Sequence, residues 1–324
     1  MGKRKMASTT TSTSNSKSRL DRIHHKFKAK VDGGNFYEAS HMIKTLFHRY
    51  KSQKKNEDAE NVLYESIITF LQHDQNESAY ELGKLLIELY QSIDHDIETG
   101  IGKILEIIKK STEGSPSRAD FIESALSWTT KDHKHGHVRL HEAVAQKYWE
   151  EKNYSSARQH IIHTTNGSLC ASFLIEYHVV VGFPGEIDLF VTQAVLQFLC
   201  LRKILIANAT FSNYTAKHPG IKRQSHPFNQ PLLNFIAFLL LAVEKGNIEQ
   251  FSLLCEKYQP SIHRDPTYSA YLDKIGQLFF GLPPPQRSGM DGMIGNLMES
   301  LFTGPGSEAI TEGEDIVMET EDID

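Results

Sequence analysis

Hydrophobic residues recur every three or four positions along most of this chain, which is the spacing of one face of an α-helix. The stretches AENVLYESIITFLQ, NESAYELGKLLIELYQ and DIETGIGKILEIIKK show this pattern, and short polar segments separate them. The alternation of apolar and polar positions that indicates a strand is scarce. The chain is therefore predicted to be all-α, a succession of helices that begins near Arg19.

Three similar phrases, GNFYEA, KNYSSA and GNIEQF, mark turns between consecutive helices. In each, an asparagine stands between two apolar runs, where its side chain can cap the next helix. Glu38 and Gln250 lie three residues after their asparagines and predict capping boxes, whereas Ser156 predicts a weaker cap. Repeated helical hairpins of this kind predict an α-solenoid. The three asparagines are Asn35, Asn153 and Asn247.

Prolines and glycines mark the breaks in the helical pattern. Pro116 predicts the start of a helix, and KDHKHGH predicts a polar loop. The stretch KHPGIKRQSHPFNQP, residues 217–231, predicts an irregular or hairpin insert, with equal cases for a binding role and for a tolerated surface insertion. The helix after the first turn is expected to face its partner helix with Tyr37, Met42, Leu46 and Phe47.

Charge and composition narrow the class of protein. The net charge is −5, which argues against nucleic acid as the main partner. A basic, Ser/Thr-rich leader (1–18) and an acidic tail (304–324) are predicted to be disordered. The cysteines Cys170, Cys200 and Cys255 have no paired spacing and predict a reducing compartment. The longest apolar run is shorter than the ~20 residues that a bilayer span takes. We predict a cytosolic protein, peripheral to a membrane at most.

The last amphipathic pattern is GMDGMIGNLMESLF, residues 289–302. Its apolar residues return at helical spacing and form one stripe. Gly292 and Gly295 lower the helix propensity, so the helix is expected to need a surface to lie against. Two roles stay open: a cap on the end of the solenoid, or a contact with a partner. The stripe consists of Met290, Met293, Ile294, Leu297, Met298, Leu301 and Phe302.

Histidines are the residues most suggestive of chemistry. His137 and His141 are spaced for one face of a helix, which zinc can use. The H-E-x-x-H arrangement is absent, because Ala145 stands where its second histidine would be. Phosphate-loop and nucleophile-elbow motifs are also absent. We therefore predict a binding protein, not an enzyme, with no catalytic residue, metal or cofactor. The full cluster is His133, His135, His137 and His141.

Several strings together resemble the Golgi-to-ER traffic protein four family. They are GNFYEASHMIKTLFHRY, GHVRLHEAVAQKYWEEKNYSSARQH, DLFVTQAVLQFLCL, PLLNFIAFLLLAVEKG and YLDKIGQLFFGLPPP, and the resemblance runs from about Arg19 to Phe302. It implies a solenoid of tetratricopeptide-like helix pairs without enzymatic activity. It also implies an adaptor in the targeting of tail-anchored membrane proteins to the endoplasmic reticulum.

The resemblance divides the chain into two working halves. The first (19–165) is expected to dock the targeting ATPase, and the second (166–303) to hold a ubiquitin-like adaptor protein, directly or through a BAG-domain co-chaperone. The candidates for the ATPase face are Lys26, Lys28 and Arg49, with solubilising charge as the alternative. The candidates for the second partner are Tyr214, Phe228, Leu232, Phe235 and Phe238, with a place in the core as the alternative.

A different class of function is a structural subunit of a large helical assembly similar to the proteasome lid. Such chains usually end in a small winged-helix module that contains strands. This chain instead continues after FFGLPPP with one amphipathic pattern and an acidic stretch. The adaptor is therefore the preferred hypothesis and the assembly subunit is the alternative.

Overall fold

The computed structural model describes residues 22–113, 115–222 and 226–284, and the regular structure in them is entirely helical. The first helix, α1, covers residues 22–32. A short 3₁₀ turn, Pro184–Glu186, precedes α10. The other helices are α2 (Phe36–Ser52), α3 (Asn56–Gln72), α4 (Asn76–Ser92), α5 (Ile97–Lys110), α6 (Pro116–Thr129), α7 (Val138–Glu150), α8 (Tyr154–Ile161), α9 (Gly167–Val181), α10 (Ile187–Cys200), α11 (Ile204–Lys217), α12 (Pro231–Lys245), α13 (Ile248–Lys257), α14 (Gln259–Ile262) and α15 (Thr267–Phe280).

The helices pack in chain order. α3 packs against α2 and α4, α4 packs against α6, and α5 packs against α7. The same relation continues through α7 and α8, α9 and α11, and α10 and α12. Most helices thus meet a neighbour or the next helix but one, which is the arrangement of a solenoid. α15 instead packs against α10. The predicted all-α solenoid is confirmed, and within the described ranges no helix is long and apolar enough to cross a bilayer.

Seven of the described turns between helices share one backbone geometry, the Schellman motif. In each of these turns a residue with φ between 48° and 75° ends the helix. Its N–H donates to the carbonyl three residues back, and the next N–H donates to the carbonyl five residues back. At the first corner these bonds are Gly34 to Val31 (2.9 Å) and Asn35 to Lys30 (2.9 Å). The motif recurs at Gly34, Lys54, Asp74, Asp94, Lys152, Arg202 and Gly246.

An alanine follows most of these corners at a constant distance. It lies five residues after the left-handed residue, and it is fully buried in every case. A methyl group at this point lets the first turn of the new helix approach its neighbour closely. After Asp94 the loop is one residue longer and Gly100 takes this place, where an added Cβ would lie 2.8 Å from the ring of Trp128. The alanines are Ala39, Ala59, Ala79, Ala157 and Ala207.

The predicted caps are corrected in part. The side chain of Asn35 caps nothing, and Glu38 binds Lys30 instead of closing a capping box. The Oδ1 of Asn247 does accept the N–H of Gln250, at 2.9 Å. Asn153, expected to be the weakest cap, accepts the N–H of Ser156 at 3.2 Å.

The prediction that Tyr37 faces a partner helix is wrong. Its side chain is 83% exposed. Leu46 and Phe47 lie on the buried face of α2 as expected, and Met42 is half-buried beside it. That face consists of Ala39, Ser40, Ile43, Leu46, Phe47 and Tyr50. A residue in the first turn at this corner is turned toward solvent because Ala39 takes the inward position.

The buried hydrophobic residues form two clusters that meet on α7. The first core runs from Phe27 to Val144 and the second from Ala145 to Ile275. Tyr148, also on α7, packs against both. α7 is therefore the shared wall of the two cores. The division of function at residue 165 stays a prediction.

The region predicted as an insert is irregular between α11 and α12 where it is described. Asn234 of α12 holds it in place: its Oδ1 accepts the Phe228 N–H at 2.7 Å and its Nδ2 donates to the Phe228 carbonyl at 2.8 Å. α6 begins at Pro116 as predicted. The predicted leader, acidic tail and amphipathic helix 289–302 lie outside the described residues.

Glycine at a corner that now carries lysine should stabilise the protein. Lys54 is exposed and has φ of 55°, a conformation that glycine adopts without steric cost. We expect Lys54→Gly to raise the free energy of unfolding by about 0.5–1 kcal/mol, measured by urea denaturation followed by circular dichroism. Lys55→Gly is the control, since Lys55 has φ of −93° and should lose stability. Equal changes in the free energy of unfolding for Lys54→Gly and Lys55→Gly would contradict a steric cost of the left-handed conformation at Lys54.

Candidate partner-binding surfaces

Basic side chains are exposed at the start of the solenoid. Lys26 and Lys28 both reach solvent from α1, while Phe27 between them is buried and meets Phe70 edge to face at 5.4 Å between ring centroids. Residues two positions apart point about 200° apart around a helix. With Phe27 directed into the core, the two lysines leave α1 on opposite flanks.

Lys26 shares its flank with α2. Lys30, one turn after Lys26, binds Glu38 of α2 at 2.5 Å. Arg49 is exposed and lies about three turns after Glu38, so the two residues share one face of α2. The structure therefore brings Lys26 and Arg49 to one surface, which we call the α1–α2 surface: Lys26, Lys30, Glu38 and Arg49.

Lys28 belongs to the other flank. His24, one turn before Lys28, lies with its Nδ1 3.3 Å from the Glu65 carboxylate of α3. The flank that carries Lys28 therefore faces α3. The sequence could not distinguish these flanks, because neighbouring positions of a basic helix look alike until the partner helices are known.

A groove of 680 Å³ lies along α2, α4 and α6. Ion pairs join the helices beside the groove: Lys44 of α2 binds Glu81 of α4 at 2.6 Å, and Lys84 of α4 lies 3.4 Å from Asp120 of α6. Small-molecule sites are mostly apolar with a few convergent polar groups. This groove carries charges of both signs along its length, so it suits a polar protein surface better than a small ligand.

Four of the five candidates for the C-terminal partner lie in the second core. The Tyr214 hydroxyl donates to the carbonyl of Ile187 at 2.8 Å, and Phe228 meets Phe211 edge to face at 5.8 Å between centroids. Side chains in such positions support a surface from below. Their contact with a partner stays a prediction. These four are Tyr214, Phe228, Leu232 and Phe235.

Phe238 is the candidate that reaches solvent, with 39% of its surface exposed. Leu241, one turn later on α12, is 48% exposed, and the ring of His226 lies 4.5 Å from that of Phe238. We call Phe238 and Leu241 the α12 outer face. Sequence reasoning missed Leu241, because a helix that is apolar on nearly every side gives no period that marks the exposed residues.

The predicted histidine cluster separates into two groups. His137 caps α7: its Nδ1 accepts the Arg139 N–H at 3.2 Å, and its Nε2 lies 3.0 Å from the Glu98 carboxylate. The ligand atoms of Glu98, His133 and His137 lie within 4.8 Å of one another. The Nδ1 contact leaves the proton on Nε2, so zinc at Nε2 would force an Nδ1–H against the Arg139 N–H. The arrangement therefore fits a helix cap better than a metal centre.

The second group surrounds His141, which is buried at the joint between the two cores, with His160 and His163 half-buried beside it. The Nε2 of His141 donates to the His135 carbonyl at 2.7 Å, so its Nδ1 accepts from the Nδ1 of His160 at 3.1 Å. The ring of His163 stacks on His141 at 4.1 Å between centroids. Burial lowers the pKa of His141 to about 4, of His160 to about 3 and of His163 to about 2.

A lysine beside these rings completes the joint. Lys203 donates to the carbonyl of His163 at 2.7 Å, and burial lowers its pKa to about 8. A cation at this distance further disfavours protonated imidazoles. The histidines are therefore neutral near pH 7 and pack as aromatic rings, which is a structural role.

Comparisons with known proteins agree on one family. A family model described as "Golgi to ER traffic protein 4" matches residues 53–302. The Golgi to ER traffic protein 4 homolog of Oryzias latipes is 44% identical over 299 residues, which cover 91% of this chain and 92% of that protein. The Homo sapiens homolog is 43% identical over 298 residues, covering 91% and 90%.

A solved structure supports the fold. The crystal structure of C. therm. Get4 superposes with a TM-score of 0.77, covering 94% of this chain and all of that one. The sequence identity over the superposition is 24%, so this similarity bears on the helical architecture alone.

Acid should destabilise the protein through the buried histidines. Their folded pKa values lie below the ordinary value of 6.5, so between that value and the folded pKa the unfolded chain binds protons that the folded chain does not. The contribution of these neutral histidines to the free energy of unfolding is therefore fully present above about pH 6.5 and decreases as the pH falls below that value. His163→Phe should lessen the loss between pH 7 and pH 5 by about 1–2 kcal/mol, measured by urea denaturation at both values.

The exposed His41 supplies the control for this series. His41→Phe should leave the loss of unfolding free energy between pH 7 and pH 5 unchanged, because His41 is exposed to solvent and lies outside the joint. The burial argument fails if the two variants and the parent protein lose the same free energy on acidification.

Proposed function

The chain belongs to the Golgi to ER traffic protein 4 family, and on that premise we propose that it is a scaffold that joins two components of a membrane-protein targeting pathway. The first half binds the targeting ATPase. The second half holds a ubiquitin-like adaptor protein, directly or through a BAG-domain co-chaperone. Tail-anchored membrane proteins then pass from the co-chaperone to the ATPase on their way to the endoplasmic reticulum. The scaffold itself carries no catalytic group.

The observation that carries the proposal is the presence of two different exposed surfaces on one helical stack. The α1–α2 surface is charged and rests on the first core, whereas the α12 outer face is apolar and rests on the second. Charged surfaces favour fast, salt-dependent encounters. Apolar surfaces favour longer-lived contacts, since their release exposes hydrocarbon to water.

The mechanism is a raised effective concentration. Two proteins held on one stiff support meet at a local concentration far above their bulk value, so transfer between them becomes intramolecular. The continuous packing through α7 supplies the stiffness, since both cores share this helix. Such a scaffold accelerates delivery without contact between its own residues and the cargo.

The ATPase half of the proposal is tested by charge reversal. The double change Lys26→Glu and Arg49→Glu should weaken ATPase binding by about tenfold or more and flatten its dependence on salt, because both residues lie on the α1–α2 surface. Binding of purified ATPase is measured by biolayer interferometry at low and moderate ionic strength. Lys28→Glu, on the flank that faces α3, is the matched control and should have a much smaller effect.

Two outcomes would count against this half. Equal losses in the double variant and in Lys28→Glu would point to a general charge effect rather than a surface. Unchanged binding in the double variant would remove the α1–α2 surface from the interface. In both cases thermal denaturation must first show that the variants are folded.

The second half is tested on α12. Phe238→Asp together with Leu241→Asp should weaken binding of the BAG-domain or ubiquitin-like partner by about tenfold or more, with ATPase binding retained. Point substitutions serve better than a truncation before Tyr214, because that residue is fully buried in the second core. Leu205→Asp is the control: Leu205 is 83% exposed on α11. Loss of both partners in the α12 variant, or in the control, would contradict the two-surface scaffold.

A further inference from the structure

A small cavity adjoins the groove along α2, α4 and α6. It has a volume of 280 Å³ and lies between the C-terminal ends of α4 and α6. Gln91 and Ser127 line both the cavity and the groove, so the two spaces meet at these residues. Sites for drug-sized ligands measure about 300–1,000 Å³. The cavity is therefore better suited to one side chain of a segment that lies in the groove.

Trp128 forms part of the cavity wall and carries a hydrogen-bond donor without an acceptor. The residue is 3% exposed, and no group of the described residues accepts a hydrogen bond from its Nε1. A buried donor that stays unpaired costs about 1–3 kcal/mol. Because most buried polar groups in folded proteins are paired, this exception marks a place where a ligand can supply the acceptor.

The indole of Trp128 is held in place by its neighbours. Its Cη2 packs on Gly100 of α5, where an added Cβ would lie 2.8 Å away. The ring of Tyr90 lies 4.9 Å from it between centroids, and the Tyr90 hydroxyl donates to Glu60 at 2.7 Å. The six-membered ring is thus fixed against α5, which leaves the five-membered ring with its N–H for a ligand in the cavity. A donor that is fixed in advance loses little entropy on binding.

The charges around the cavity favour one kind of acceptor. Asp94 at the rim pairs with Lys131 at 2.7 Å, so these two charges offset each other. In the groove, the exposed Glu123 has no ion-pair partner among the described residues. A carboxylate ligand would be repelled by Glu123, and a cation has no oxygen for the indole N–H. A primary amide meets both conditions, because its oxygen accepts from the indole while its NH₂ group can donate to Ser127.

We propose that this cavity binds the side-chain amide of an asparagine or glutamine in a partner protein, from a peptide segment that lies in the groove along α2, α4 and α6. The Trp128 N–H donates to the amide oxygen. Glu123 lies one turn before Ser127, about 5.4 Å along α6, and two extended residues span about 7 Å. A lysine or arginine two residues from the amide would therefore meet Glu123. The inference goes beyond the proposed function and does not depend on the α1–α2 surface or the α12 outer face.

The indole N–H of Trp128 reports directly on this hydrogen bond. The chain has two tryptophans, so a ¹H–¹⁵N correlation spectrum of the full chain contains two indole signals, and Trp149→Phe identifies them. The probes are N-acetylglutamine methylamide and the corresponding glutamate compound at pH 7. The glutamine compound should shift the Trp128 signal downfield to saturation and leave the Trp149 signal in place. The glutamate compound should bind about threefold to tenfold more weakly, because it lacks the NH₂ donor.

Two serines of α6 distinguish the cavity from the rest of the groove. Ser127→Leu fills the cavity and should abolish the shift of the Trp128 signal. Ser124→Leu is the matched control, because Ser124 is also half-buried and lines the groove but not the cavity. It should leave the shift unchanged. Circular dichroism shows whether both variants are folded.

A milder variant tests the donor itself. Trp128→Phe keeps an aromatic ring in the wall but removes the N–H. Binding of the glutamine compound, followed by saturation-transfer NMR of the compound, should weaken about threefold to tenfold. Trp149→Phe is the control and should bind the compound as the parent chain does.

The groove is tested with two acetylated peptide amides, Lys-Ala-Gln-Ala-Lys and Glu-Ala-Gln-Ala-Glu. The lysine peptide should bind about twofold to fivefold more tightly at low ionic strength, and Glu123→Gln should remove this difference. Equal binding of the two peptides to the parent chain would overturn the placement of the segment in the groove.

Three further results would overturn the proposal. The first is a Trp128 signal that does not move with the glutamine compound. The second is binding of the glutamate compound as tight as that of the glutamine compound, which would make the cavity a site for anions. The third is an equal loss of the shift in Ser127→Leu and Ser124→Leu, which would place the contact outside the cavity.

Discussion

The structure depends on one recurring constraint, the corner where a helix ends in a left-handed residue and the chain turns back. Two backbone hydrogen bonds close each corner, so its shape does not depend on the side chain that occupies it. Lys54 and Asp74 adopt the same conformation as Gly34, at a cost of about 1 kcal/mol each that the packing of the flanking helices offsets. Because the corners are alike and α2, α3 and α4 have 17 residues each, these helices stack in register.

The same constraint brings the two cores together on one helix, α7. Corners fix the order of the helices, and α7 then serves both clusters of buried residues, with Tyr148 in contact with each. The imidazoles of His141 and His160 lie at this joint, where a charged ring would lose its hydration without gaining a carboxylate partner. In the proposed scaffold, α7 would be the link between the α1–α2 surface on the first core and the α12 outer face on the second.

Helical periodicity is local, so the all-α solenoid could be predicted from the sequence. Only the corners with an asparagine were recognised, however. Those at Lys54, Asp74 and Arg202 lack glycine, and their mark is a buried alanine five residues later. The site was less predictable, because it depends on contacts between helices. Nothing in the sequence separates Lys26 from Lys28, and an evenly apolar α12 hides which of its residues point outward. Helical repeats alone also suit the lid-like assembly, since a fold does not specify a function.

The two ends of the stack solve the problem of exposure differently. Every solenoid must end, and its last helices have an outer face with no successor to cover it. At the first end, α1 places charged residues on both flanks of Phe27, and these side chains are solvated by water without a protein surface to cover them. At the other end, Phe238, Leu241 and Ile248 reach solvent, and α13 buries one residue only. Contiguous apolar surface of this kind marks a contact that the described chain does not make by itself. A partner seated on α12 would cover Phe238 and Leu241, which is the role that the proposed function gives to the α12 outer face.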